Sequence, residues 1–127
     1  MRPYIPIRLS FNRSNPTNLV DALVDSGSDR NLFPKHWGDL IGINFRKIKP
    51  TQITGIGNVV INAYPSKINI WVNGKKYETD ADFSLQQQTP LLGRLGFFNL
   101  FKEVIFDENK EFFLIYWNLL ITPTHFP

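Results

Sequence analysis

With 127 residues, of which 43% are hydrophobic and 20% charged, the chain has the size and composition of one globular domain able to bury a real core. It contains no cysteine, which excludes disulfides, thiolate metal sites and cysteine nucleophiles. Its net charge of +3 is small and its basic residues are scattered, with Arg46-Lys47-x-Lys49 and Lys75-Lys76 reading as solvated loops, so no nucleic-acid partner is expected.

Prolines and glycines punctuate the chain, and strands dominate between them. Ile5 to Phe11 alternates apolar and other residues, which predicts a half-buried strand over Tyr4 to Phe11, with Pro6 confining it to an edge or a strand start. Asn12 to Asn18 is a polar turn, and its Asn12-Arg13-Ser14 match to a glycosylation acceptor is taken as chance. Leu19 to Val24 is a second strand that closes on Asp25. Asn31-Leu32-Phe33-Pro34 continues extended, and Lys35 to Leu40 suits one helical turn with Pro34 at its first position. Arg46 to Thr54 and Val59 to Ala63 read as two strands joined by Gly55-Ile56-Gly57-Asn58.

Ser66 to Val72 and Lys75 to Phe83 form a hairpin, because Asn73-Gly74 is the preferred pair for a type I′ turn. Asp80 and Asp82 fall on what alternation makes the exposed face of its second strand. A short helix is expected over Leu95 to Phe101, weakened by Gly96. Val104-Ile105-Phe106 and Phe112 to Trp117 flank the turn Asp107-Glu108-Asn109-Lys110 as a second hairpin. The tail from Asn118 to Pro127 shows no clear pattern. No uninterrupted apolar stretch follows the N-terminus, and Phe112 to Ile121 is too short to span a bilayer, so a cytoplasmic location without membrane contact is expected.

Three features stand in order along the chain. The apolar run Ala22-Leu23-Val24 ends at Asp25-Ser26-Gly27-Ser28, which suits a carboxylate held at the end of a buried strand. Alone, Asp-Ser-Gly is ordinary turn chemistry. A hairpin with a Gly55-Ile56-Gly57 tip follows, and later the apolar pair Leu91-Leu92 enters the turn Gly93-Arg94. In this order and spacing the three resemble the retroviral-type aspartic proteases, the retropepsins. The resemblance covers about residues 5–117 of a single domain spanning 1–127, with 118–127 as a tail. Leu95-Gly96-Phe97-Phe98 after Gly93-Arg94 departs from the retroviral pattern and is nearer to the cellular and bacterial relatives.

The resemblance implies an all-β, single-lobe, closed-barrel-like acid-protease fold with one or two short helices. It makes Asp25 the catalytic aspartate and Ser26, Gly27 and Ser28 the support of the active-site loop, with the Ser28 hydroxyl able to bond the outer oxygen of the carboxylate. Asp29 would hold the substrate main chain or pair with Arg94. Gly55, Ile56 and Gly57 would form a flap closing over an extended peptide, and the role of Arg30 is open. The mechanism needs two close carboxylates, one acting as general base on a water and the other as general acid. The chain has one Asp-Ser-Gly, so a homodimer would supply Asp25 twice.

Other readings rank below this one. Gly55-Ile56-Gly57 lacks the third glycine of a dinucleotide loop, and Ser26 and Ser28 have no neighbouring histidine for a serine hydrolase. His36 and His125 have no ligands spaced for a metal, so neither metal nor cofactor is expected. Phe97, Phe98, Phe101 and the three tryptophans read as core or interface. The expected function is thus a homodimeric aspartic endopeptidase acting on peptide or protein substrates. The alternative is a catalytically silent domain of the same fold, kept for dimerisation or peptide binding.

Overall fold

The computed structural model describes residues 4–25, 27–54, 56–100, 103–106, 112–116 and 119–121. Alternation builds the first strand: β1 (Tyr4–Ser10) buries Ile5, Ile7 and Leu9. From Tyr4 to Ile7 it pairs with β2 (Val20–Val24), and from Arg8 to Ser10 with another strand. Pro6, opposite Asp21, therefore sits where β1 has one described neighbour, as a residue without an N–H requires. Next come β3 (Asn31–Pro34) and the helix α1 (Lys35–Leu40). The helix spans the expected residues, but Pro34 is its N-cap, closing β3, and not its first helical residue.

The remaining strands are β4 (Thr51–Thr54), β5 (Val60–Val72), β6 (Lys75–Ser84), β7 (Leu91–Leu92), β8 (Glu103–Phe106), β9 (Phe112–Tyr116) and β10 (Leu119–Ile121). The main sheet runs β1-β2-β7-β3-β6-β5, and β5 returns to β1, closing a six-stranded barrel with β4 attached outside the ring. The β5–β6 hairpin turns on Asn73 and Gly74, whose φ values of 53° and 81° are the left-handed geometry expected of a type I′ turn. Strands β8, β9 and β10 form a separate antiparallel sheet.

The barrel interior is filled by Phe33, Phe83, Phe97 and aliphatic residues of β1 and β5, all nearly or wholly buried. Phe33 and Phe83 lie 5.8 Å apart, and Phe45 lies 5.6 Å from Phe83, which ties the segment after α1 to the core. Each such side chain contributes roughly 1.5–3 kcal/mol by leaving water. A second, smaller cluster joins Leu23, Leu32 and Leu91 of the barrel to Ile61 of β5, with Ile53 of β4 packed against it.

Several expectations are corrected. Arg46 to Thr54 is not one strand: Phe45–Lys47 is a 3-10 turn capped by Asn44, whose side chain accepts from the Arg46 N–H, and Pro50 precedes β4. The strands expected over Val59 to Ala63 and Ser66 to Val72 are one, β5. Its burial phase shifts from Ile61 and Ala63 to Ile68, Ile70 and Val72 as its partner changes from β4 to β6. The helix expected over Leu95 to Phe101 is a turn followed by one 3-10 turn, Phe98–Leu100. The Gly96 carbonyl is taken by the side chains of Asn31 and Thr79, which diverts it from helix bonding. The tail, expected without pattern, contributes β10. Ser26, Gly55, Phe101, Trp117, His125 and the turn at 107–110 lie outside the described residues.

Candidate active site

Asp25 stands just beyond the end of β2, and the chain around it is pinned by main-chain bonds to β7. β7 lies between β2 and β3, the two strands that flank the Asp25 loop: it runs parallel to β2 and antiparallel to β3. The Leu23 N–H donates to the Pro90 carbonyl (2.9 Å) and the Asp25 N–H to the Leu92 carbonyl (3.0 Å). Beyond the loop, the N–H groups of Arg94 and Leu95 donate to the carbonyls of Ser28 and Asp29 (2.8 and 2.7 Å). The Asp25-Ser26-Gly27-Ser28 and Leu91-Leu92-Gly93-Arg94 segments, 66 residues apart, are thus one structural unit.

Within the loop, the Gly27 N–H donates to Asp25 Oδ1 (2.9 Å) and the Ser28 N–H to the Asp25 carbonyl (3.1 Å). A Cβ on Gly27 would approach Asp25 Oδ1 to 3.2 Å, tighter than ordinary packing. The Ser28 hydroxyl does not reach the carboxylate as expected; it donates to the Arg30 carbonyl (2.8 Å) and shapes the way into β3. A hydroxyl has one proton to give, and the nearby carbonyl takes it.

A buried asparagine holds this unit together. Asn31, wholly buried, accepts from the Gly93 N–H (3.1 Å) and donates to the Gly96 and Asp80 carbonyls (2.7 and 3.0 Å). Gly93 lies so close to the Arg30 backbone that a Cβ there would overlap it. Among the described residues no side-chain ion pair joins Asp29 to Arg94, which corrects the expected pairing: both side chains are exposed, and their segments meet through main chain.

The ion pair at the site is instead Arg30 with Asp82. Arg30 Nε and Nη2 donate to the two Asp82 oxygens at 2.5 and 3.1 Å, a two-pronged contact. Asp82 is 1% exposed, contrary to its expected place on the open face of β6. Hydrogen bonding to Asp82 raises the Arg30 pKa above its ordinary value, so the guanidinium stays charged.

These groups line a cleft of about 440 Å³. Asp25, Gly27, Ser28, Asp29, Arg30 and Asp82 form one wall, Leu32 and Leu91 add apolar surface, and Ile53, Thr54 and Asn58 of the β4–β5 hairpin form the other. At the hairpin's end, Ile56–Asn58 makes a tight turn with Gly57 and Asn58 at φ values of 74° and 63°. Of the residues singled out in the sequence, Asp25, Gly27, Ser28 and Asp29 share the cleft; Arg94 adjoins it through backbone.

Asn31 and Asp82 were missed. The only trace of Asn31 was a poor strand former at the head of an apolar run. Asp82 left none, since Ala81, Asp82, Phe83 and Ser84 are all buried and alternation carries no information there.

Comparison with known proteins agrees with this geometry. No family model and no curated protein matches the chain by sequence. Among solved structures, a retropepsin-like aspartic protease from Rickettsia conorii is 20% identical, with a TM-score of 0.63, covering 94% of this chain and 83% of that one. The retroviral protease-like domain of Ddi1 from Leishmania major is 14% identical, with a TM-score of 0.62, covering 97% and 94%. EIAV protease, complexed with the inhibitor HBY-793, is 19% identical, with a TM-score of 0.58, covering 74% and 83%. The chain has the retropepsin-like aspartic protease fold. The cellular and bacterial structures cover more of it than the viral one.

Proposed function

We propose that the chain is an aspartic endopeptidase that works as a homodimer, with Asp25 of each subunit forming the catalytic pair. The observation that carries this reading is the position of Asp25: it ends a buried strand, in a loop cross-bonded to β7, and opens into a cleft covered from the other side by a hairpin. One chain brings one such carboxylate, and water-mediated peptide hydrolysis by this route takes two. A two-fold axis beside the loop would set two Asp25 carboxylates against each other, one deprotonating the attacking water and the other protonating the leaving nitrogen.

The β4–β5 hairpin is the candidate flap. Its tip, Gly55-Ile56-Gly57, would close over an extended peptide and exclude water from the scissile bond. Asp29 would meet the peptide main chain from the opposite side, and Gly27 would support the Asp25 loop. Ser26, beside Asp25 in the loop, would fix the two loops across the subunit boundary. Substrates are extended polypeptides, and the chain acts as a single domain over 1–127.

Digestion of a proteome-derived peptide library at several pH values tests the proposal. Wild-type protein is expected to cleave, and Asp25→Asn protein to cleave nothing above background. Equal cleavage by the two proteins would remove Asp25 from the chemistry. A dimeric wild-type protein that cleaves nothing would make the domain a binding or dimerisation module.

A further inference from the structure

We propose that Arg30, aimed by buried Asp82, is the specificity-determining residue of the cleft and selects substrates carrying a carboxylate side chain near the scissile bond. This deepens the endopeptidase reading and rests on it for the identity of the ligand as a peptide.

The argument starts from Asp82. A carboxylate at 1% exposure has to be paired, and Arg30 engages both of its oxygens. That contact uses two of the five guanidinium N–H groups. The Arg30 side chain remains 42% exposed and lines the cleft together with Asp25. Asp82 thus fixes the guanidinium plane and leaves donors on its far side for a second carboxylate, a geometry a lysine would not give.

The surroundings define what can bind. Asp25, Asp29 and Asp82 are the acidic residues among the described cleft lining, and Arg30 is its one cationic side chain. A substrate carboxylate is repelled along most of this wall and accepted only at Arg30. Leu32, Ile53 and Leu91 line the same cleft and suit the methylene stem that carries such a group. Another groove among the described residues, about 560 Å³ and bordered by Pro6, Arg8, Leu19 and Trp71, also has an arginine, but Arg8 donates to the Thr17 carbonyl and no carboxylate lines that groove to aim it.

The test uses acetylated and amidated peptides, identical except for Glu or Gln at one position near the cleaved bond. A charge-assisted hydrogen bond predicts that wild-type kcat/KM favours Glu by about tenfold at one position, and that Arg30→Gln abolishes this ratio. The same peptides are titrated against Asp25→Asn protein with and without Arg30→Gln, which reads recognition without turnover. Because Arg30→Gln strands Asp82, the pair is also replaced by Arg30→Met with Asp82→Leu, which removes the guanidinium and leaves no buried charge.

A purely structural pair would alter stability and leave the Glu-to-Gln ratio unchanged. Equal handling of Glu and Gln by wild-type protein, or a preference that survives both replacements, overturns the proposal. Glu-selective binding to Asp25→Asn protein without wild-type cleavage would overturn the endopeptidase reading and keep this one.

Discussion

The two walls of the cleft are built on opposite principles. The Asp25 wall is over-determined: main-chain bonds tie the loop to β7 and the turn after it, Asn31 adds two buried bonds and a part-buried one, and Gly93 touches the Arg30 backbone. The hairpin wall is lightly held. β4 pairs with β5 alone among the described strands, and Thr51, Gln52, Thr54, Val59 and Val60 are exposed. Its apolar anchorage to the barrel is the packing of Ile53 and Ile61 on Leu23, Leu32 and Leu91. The proposed endopeptidase activity accounts for the contrast: a wall that holds a catalytic carboxylate in one geometry would be rigid, and a wall that admits a peptide would be drawn from the low-stability end of the fold.

Asn31→Ala breaks this contrast most severely. It strips the partner from the buried Gly93 N–H, one of two partners from the Gly96 carbonyl and one from the part-buried Asp80 carbonyl, and is expected to cost about 2–4 kcal/mol by urea unfolding. Gly93→Ala forces β7 away from Arg30, with an expected loss of about 1–3 kcal/mol and a larger fall in kcat than in affinity for peptide. On the opposite wall, Ile53→Ala is expected to cost about 1 kcal/mol, because Ile53 is only half-buried, and to raise KM more than it lowers kcat. Val59→Ser is the smallest change: stability stays within about 0.5 kcal/mol, measured by the same unfolding curves. Hydrogen exchange sharpens the comparison without mutation. The amides of Asp25, Gly93 and Leu95 are expected to outlast those of Gln52 and Thr54.

The half-buried and turn-bounded parts of the fold were legible in the sequence. Alternation marked β1, Asn73-Gly74 marked the β5–β6 hairpin, and an apolar run stopping at Asp25 marked the loop. Legibility ended where both faces of a strand are covered. In the closed barrel Ala81 to Ser84 are all inside, so period-2 alternation could not tell Asp82 from Asp80, which is exposed. The ion pair was misassigned for a related reason. The family resemblance suggested Asp29 for Arg94, whereas β3 and β6 run parallel in a register that sets Leu32 beside Asp82 and brings Arg30 within reach. The single long β5 was read as two strands because Tyr64, Pro65 and Ser66 interrupt the apolar pattern at the point where its partner changes.

The central claim, one active site built from two copies of Asp25, is tested most directly by mixing. Wild-type and Asp25→Asn subunits are combined in equal amounts at fixed total concentration, allowed to exchange, and assayed on a cleaved peptide. If each site needs both carboxylates, only wild-type pairs work, and activity falls to about one quarter of the all-wild-type value. Activity at one half would mean that each subunit carries a complete site, and would contradict the account.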